Sequence, residues 1–181
     1  MYITPLRLAA LAAAVTGLAA CSTADVHAPV VASARLMTSS SAPQPDPQSP
    51  VQGRLDFSQQ GNVVTVRGAV TGLKPNSAYA FHVHEKGDCS APDFSSAGGH
   101  FNPTDQPHGA YDSAHHHLGD LPQLKADDKG VARVSFTSQS LTLTGPNSIM
   151  GKAVIVHRDP DDVNAQPTGN AGPRLACGVI R

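Results

Sequence analysis

Short alternation limits this chain more than any other feature. Residues 51–58 (VQGRLDFS) place Val51, Leu55 and Phe57 on one face, the chain breaks at Gln60, Gly61 and Asn62, and the pattern resumes in residues 63–71 (VVTVRGAVT). Period-two runs separated by a turn read as a β-hairpin. Further short runs fall at residues 30–37, 78–84, 131–137, 152–157 and 175–180, with a weaker one at 121–126. They are bounded by Gly, Pro, Asn and Ser, the residues that turn a chain. No stretch carries a convincing helical period. Eight short strands without helices predict an all-β fold, an eight-stranded antiparallel Greek-key β-sandwich or flattened barrel. Two irregular segments interrupt it: one between residue 84 and residue 121, rich in Gly, Pro, His and Asp, and one at 158–173. Such lengths are too great for idle connections, and loops held on rigid strands are where function sits.

Charge excludes some classes of function. A formal net charge of −1 with 15% charged residues lacks the basic footprint of a nucleic-acid binder. The 40% hydrophobic content excludes a solvated, disordered chain. With 181 residues there is room for one core.

The N-terminus reads as a targeting segment. Residues 6–20 (LRLAALAAAVTGLAA) form an apolar run with Arg7 near its start and Cys21 directly after it. This is short for a membrane span and fits the hydrophobic region of a signal peptide. Leu18, Ala19, Ala20 and Cys21 resemble the lipobox of bacterial lipoproteins, in which the cysteine is acylated and becomes the new N-terminus; an ordinary signal peptide before a chance cysteine is the competing reading. The expected organisation is a signal peptide at 1–20, a lipid-attached tether at 21–29 containing His27, and one domain at 30–181. The expected location is the cell envelope or periplasm, on a membrane through lipid on Cys21. Cys89 and Cys177 then remain, and in an oxidising compartment they are most simply one disulfide. Closing so long a loop contributes about 4–5 kcal/mol in the chain-entropy account.

The chain has 9 histidines, and their order suggests metal chemistry. His82 and His84 end a strand, where period two turns both imidazoles to one face. His100 follows Gly98 and Gly99; His108, His117 and Asp120 lie in the same irregular segment, and His157 ends an apolar strand. His82, His84, His100 and His157 offer four nitrogens without a thiolate, a set suited to tetragonal Cu(II). His108, His117 and Asp120 form a tetrahedral zinc set short of one ligand. An imidazolate has two nitrogens, so His100 can complete the zinc set as a bridge.

FHVHEKGDC (residues 81–89), GGHFNP (98–103), HLGD (117–120) and TGNAGPRLACGVI (168–180) together resemble the copper,zinc superoxide dismutase family in its bacterial exported form, over about residues 30–181. The resemblance implies one copper on His82, His84, His100 and His157, and one zinc on His100, His108, His117 and Asp120. It places the family's disulfide on Cys89 and Cys177. It also puts the substrate-guiding arginine on Arg174 and the carboxylate linking a copper histidine to a zinc histidine on Asp161. The implied activity is dismutation of superoxide to oxygen and hydrogen peroxide, with His100 passing a proton during the cycle, in a monomer or homodimer. On the residues alone, Asp161 and Asp162 also read as a charged turn, and Arg174 as a strand cap or the partner of a loop carboxylate. His115 and His116 read as solvent-facing or supporting residues. The 158–173 segment is shorter than its eukaryotic counterpart and lacks the lysine and glutamates found there, so steering falls on Arg174 with lysines such as Lys86. Two further readings compete: a non-enzymatic periplasmic copper/zinc-binding lipoprotein, and a metal-free adhesive sandwich. The copper-only variant of the family is disfavoured by intact His108, His117 and Asp120.

Overall fold

The computed structural model describes residues 31–46 and 48–181. The expected signal peptide, Cys21 and the tether with His27 lie outside the described residues. Nine strands run through the described residues: β1 (Ala32–Leu36), β2 (Gln52–Gln60), β3 (Val63–Thr71), β4 (Ala78–Tyr79), β5 (Phe81–His84), β6 (Leu124–Lys125), β7 (Ala132–Ser138), β8 (Ala153–His157) and β9 (Arg174–Val179). One short 3₁₀ turn occupies Ser95–Ala97. The extra strand arises because the run expected at 78–84 breaks at Ala80. There the backbone leaves β4 to bond loop and strand residues, Ala80 N–H to Asp159 O (2.8 Å) and His157 N–H to Ala80 O (2.9 Å). The weak run at 121–126 pairs only over two residues, Leu124 with Tyr79 and Lys125 with Ala78.

One layer is the antiparallel sheet β1-β2-β3-β7; the other comprises β5-β8-β9 with the small β4-β6 pair. Because β7 lies beside β3 although three strands intervene in the chain, the connections cross between layers in Greek-key fashion. Backbone bonds between Ser33 and Arg181 and between Met37 and Cys177 stitch β1 to the β9 end of the second layer. The strands form separate sheets, so the fold is a sandwich without a closed barrel among the described residues.

The layers differ in how they are covered. In β2, Leu55 and Phe57 are fully buried while Gln52 and Arg54 are exposed, the alternation of a sheet wet on one side. In β8 every residue of AVIVH is buried. Val154 and Val156 join the main core with Phe57, Val66, Phe81 and Leu175, while Ala153 and Ile155 face outward into a second apolar cluster with Phe94, Ala97 and Cys177. The first irregular segment supplies Phe94 and Ala97, so it acts as a lid on the second layer. The Cys89–Cys177 disulfide, with Cα atoms 5.8 Å apart, fastens that lid to β9.

Candidate metal centre

Two donor groups form beneath the lid, on the side of β5 away from the core. Phe81 and Val83 point into the main core, so period two turns His82 and His84 outward, and both are almost fully buried. The irregular segment returns along β5 as isolated bridges, pairing His84 with His100 and His82 with Asp120. Val83 N–H donates to Gly119 O (2.8 Å) and Phe101 N–H to Val83 O (2.8 Å). This close return requires Gly119, where a Cβ would lie 2.2 Å from Val83 O.

The first group is His82, His84, His100 and His157, whose donor atoms all lie within 4.8 Å of one another. The Nδ1–H of His84 donates to Gly98 O (2.9 Å), and that of His157 to Gly172 O (3.2 Å). Each ring is thereby left with a lone pair on Nε2, and these two nitrogens face each other at 3.2 Å. Lone pairs so placed repel unless a cation lies between them. Nδ1 of His82 and Nε2 of His100 are buried with no hydrogen-bond partner, a costly arrangement that a metal relieves. Burial lowers the His100 pKa to about 4 and that of His157 to about 3, and moves His84 well below its ordinary value. Neutral imidazole is the form that ligates.

The second group centres on Asp120 Oδ1, which lies 3.0 Å from His108 Nδ1, 3.1 Å from His100 Nδ1 and 3.4 Å from His117 Nδ1. His117 Nδ1 is 3.3 Å from His100 Nδ1. Donors on a tetrahedron with bonds of about 2.0–2.1 Å stand about 3.3–3.4 Å apart, and the separations of Asp120 Oδ1 from the three histidines and of His100 from His117 are near that spacing; the tightest donor group around Asp120 also takes in His82 beside His100 and His108. Asp120 Oδ2 accepts from Gly109 N–H (3.1 Å) and His117 N–H (2.9 Å), pinning the loop. Burial opposes ionisation of Asp120, but its contacts with His100, His108 and His117 hold it far below the usual carboxylate range. Burial likewise opposes charging of His108, yet Asp120 and Asp161 raise its pKa to about 9.

Asp161 joins the groups. Its Oδ1 lies 3.2 Å from Nε2 of both His82 and His108. Arg174 is half-buried: its guanidinium donates to Phe94 O and, at 2.6 Å, to Gly98 O, the same carbonyl that orients His84. Its charge also helps to lower the pKa values of His84 and His157. His115 is exposed and His116 partly so, bonded to Gln106 and to the His117 carbonyl respectively, away from either donor group.

Sequence reasoning missed the supports. Gln166 brackets His108, its Oε1 accepting from His108 N–H (2.9 Å) and its amide donating to His108 O (2.8 Å). Gln123 makes the same double contact with the Asp161 backbone. Gly169, at φ +69°, packs where a Cβ would meet Asp161 Oδ1 at 2.0 Å. Phe94 adopts a left-handed φ of 61° and offers its carbonyl to Arg174. No period or spacing marks these residues; only the TGN stretch within a quoted motif touched one of them.

Two adjoining histidine-rich donor groups on a Greek-key sandwich define a metalloprotein with room for two ions. The family described as copper/zinc superoxide dismutase matches residues 51–180. Superoxide dismutase (Cu-Zn) 2 of Aquifex aeolicus (strain VF5) is 42% identical over 136 residues, covering 72% of this chain and 80% of that protein. Superoxide dismutase (Cu-Zn) 1 of the same organism is 41% identical over 134 residues, 71% of this chain and 79% of that one. A crystal structure described as that of the clock protein EA4 superposes with a TM-score of 0.72 at 36% identity, over 82% of this chain and 92% of that one. The chain belongs to the copper/zinc superoxide dismutase family. It is an enzyme that dismutates superoxide with copper and zinc; a non-enzymatic metal-binding lipoprotein is not favoured.

Proposed function

We propose that copper is held by His82, His84, His100 and His157, that zinc is held by His100, His108, His117 and Asp120, and that Arg174 receives the superoxide anion. The single observation carrying this assignment is the Gly98 carbonyl, which accepts from both His84 Nδ1 and Arg174 and so ties the guanidinium to the copper donor set. When bound, copper supplies one-electron exchange with superoxide, and zinc, which has no redox chemistry, supplies charge and order. The protein's own part is geometric and protic. Arg174 offers a planar fork of donors and a positive charge to a small anion approaching a chain of net charge −1. His100, held through Nδ1 beside Asp120, keeps Nε2 available to take up and return a proton. Asp161 fixes the tautomers of His82 and His108, directing Nδ1 of each toward its metal.

The chain is further proposed to be exported to the cell envelope and lipid-anchored at Cys21, a reading supported by the apolar run at 6–20 and the small residues preceding the cysteine.

Metal analysis and superoxide decay on Arg174→Ala test the site assignment together. Copper and zinc are expected to stay at one each per subunit, while the rate at low salt falls by about tenfold or more and becomes less salt-dependent than wild type. Full activity with the wild-type salt slope would make Arg174 structural and pass steering to Lys86.

A further inference from the structure

The outer face of the first layer is charged in a way the fold does not require. Arg35 on β1 is directly opposite Arg54 on β2, and the same row continues through Ala69 on β3 to Arg133 on β7. The neighbouring row carries Ser33, Asp56, Arg67 and Ser135. All four arginines are exposed. The four strands therefore hold four arginines against one carboxylate, Asp56, in a chain whose overall charge is −1. Asp56 contacts Arg54 at 2.7 Å, and Asp127 lies close enough to Arg133 to feel its charge. Like charges directly across a strand pair destabilise a sheet, so the Arg35–Arg54 pair works against folding. Between them the surface is dished: a cavity of about 610 Å³ is bordered by Arg35, Gln52, Arg54, Asp56, Ala69 and Thr71.

We propose that this arginine face docks on an anionic lipid headgroup surface and orients the anchored enzyme with its metal centre turned away from the membrane. Charge complementarity supports the occupant, since phosphate and guanidinium pair bidentately. The position of the tether supports it too. Nine residues separate Cys21 from Val31, a reach of at most about 35 Å, and the chain then enters β1, which carries Arg35. The donor histidines lie on the opposite side of the sandwich, because Phe81 and Val83 of β5 face the core between the layers. The inference rests on the lipid-anchor reading for the local concentration that makes a weak surface effective. Each arginine near an anionic leaflet contributes about fivefold in partitioning, so the face orients an anchored domain and does not replace the anchor.

The test uses the full mature protein in acylated form and as the unacylated Cys21→Ser variant, with vesicles of pure phosphatidylcholine or with phosphatidylglycerol added. Unacylated protein should sediment with the anionic vesicles at low salt and not with neutral ones, and R35Q/R54Q/R133Q should lower that partitioning by about tenfold to a hundredfold while keeping superoxide decay and melting temperature. On acylated protein, anionic vesicles should protect Arg35, Arg54 and Arg133 from phenylglyoxal, read by mass spectrometry, and leave Arg158 reactive. Acylated protein that binds both vesicle types with those arginines equally reactive on each would overturn the orientation while leaving the anchor standing. An unmodified Cys21 in the wild type, with Cys21→Ser still selecting anionic vesicles, would remove the anchor and keep the surface. Binding to heparin without binding to anionic vesicles would also overturn the lipid assignment.

Discussion

The two donor sets are built differently. Three of the four proposed copper donors, His82, His84 and His157, sit on β5 and β8, and their directions follow from strand pleat and register. Three of the four proposed zinc donors, His108, His117 and Asp120, sit on irregular chain held by Asp120 Oδ2, by Gln166 on the His108 backbone and by the bridge between Asp120 and His82. A strand set is in place once the sheet forms; a loop set assembles only as its own ligands meet. In this assignment only His100 belongs to both. It follows that the copper donors should survive loss of the zinc donors better than the reverse.

Asp120→Ala is the largest way to break that contrast. It removes a proposed zinc ligand and leaves the Gly109 and His117 N–H groups buried without Oδ2, a cost of about 1–3 kcal/mol for each unsatisfied donor. Zinc affinity should fall by more than about a hundredfold, while copper remains on the strand set. Metal analysis after dialysis reads the split, and stoichiometric zinc in the variant would end the claim that the loop depends on Asp120.

Asp161→Asn sharpens the comparison at the one side chain that touches both sets. An amide oxygen cannot serve Nε2 of His82 and His108 as a carboxylate does, and losses of about 10–100-fold in affinity are typical when such a support is removed. Copper and zinc affinities, measured by competition with a chelator, should both decline. A change confined to one metal would show that the two sets are energetically separate.

Legibility in the sequence followed the same division. Residues 63–71 were readable as β3 without error, and the hairpin to β2 within about two residues, because wet sheet faces alternate. In β8 the alternation vanishes because Ala153 and Ile155 are covered by the lid, yet an unbroken apolar run still reads as a strand. The histidines and Asp120 that the structure brings together were picked out through their motifs and the resemblance those carry. Ala80 was not, since its break depends on Asp159, far along the chain. Gln123, Gln166 and the Phe94 carbonyl were not either, since backbone hydrogen bonding across long separations leaves no local pattern.

The smallest expected effect for each residue and pH unit is a difference in how the two sets bear on the stability of metal-free protein. In the copper set, burial lowers the pKa values of His84, His100 and His157, with His100 at about 4 and His157 at about 3, against about 6.5 in an unfolded chain. The unfolded state then binds more protons than the folded state as pH drops below about 6.5, so the stability these residues contribute is complete above that pH and is lost on acidification. Each proton of difference changes stability by about 1.4 kcal/mol per pH unit. His108 in the zinc set behaves oppositely. With its folded pKa raised to about 9, its contribution is complete below about 6.5 and is lost as pH rises through 9. Urea midpoints of chelator-stripped protein should therefore peak near pH 6.5, with the acid limb begun by His84, His100 and His157 and deepened below about pH 4 by Asp120 and Asp161, whose pKa values, despite burial, the neighbouring histidines depress, and the alkaline limb set by His108. His108→Asn should flatten the alkaline limb and leave the acid one; an alkaline limb unchanged in that variant would assign it to another group and dissolve the distinction.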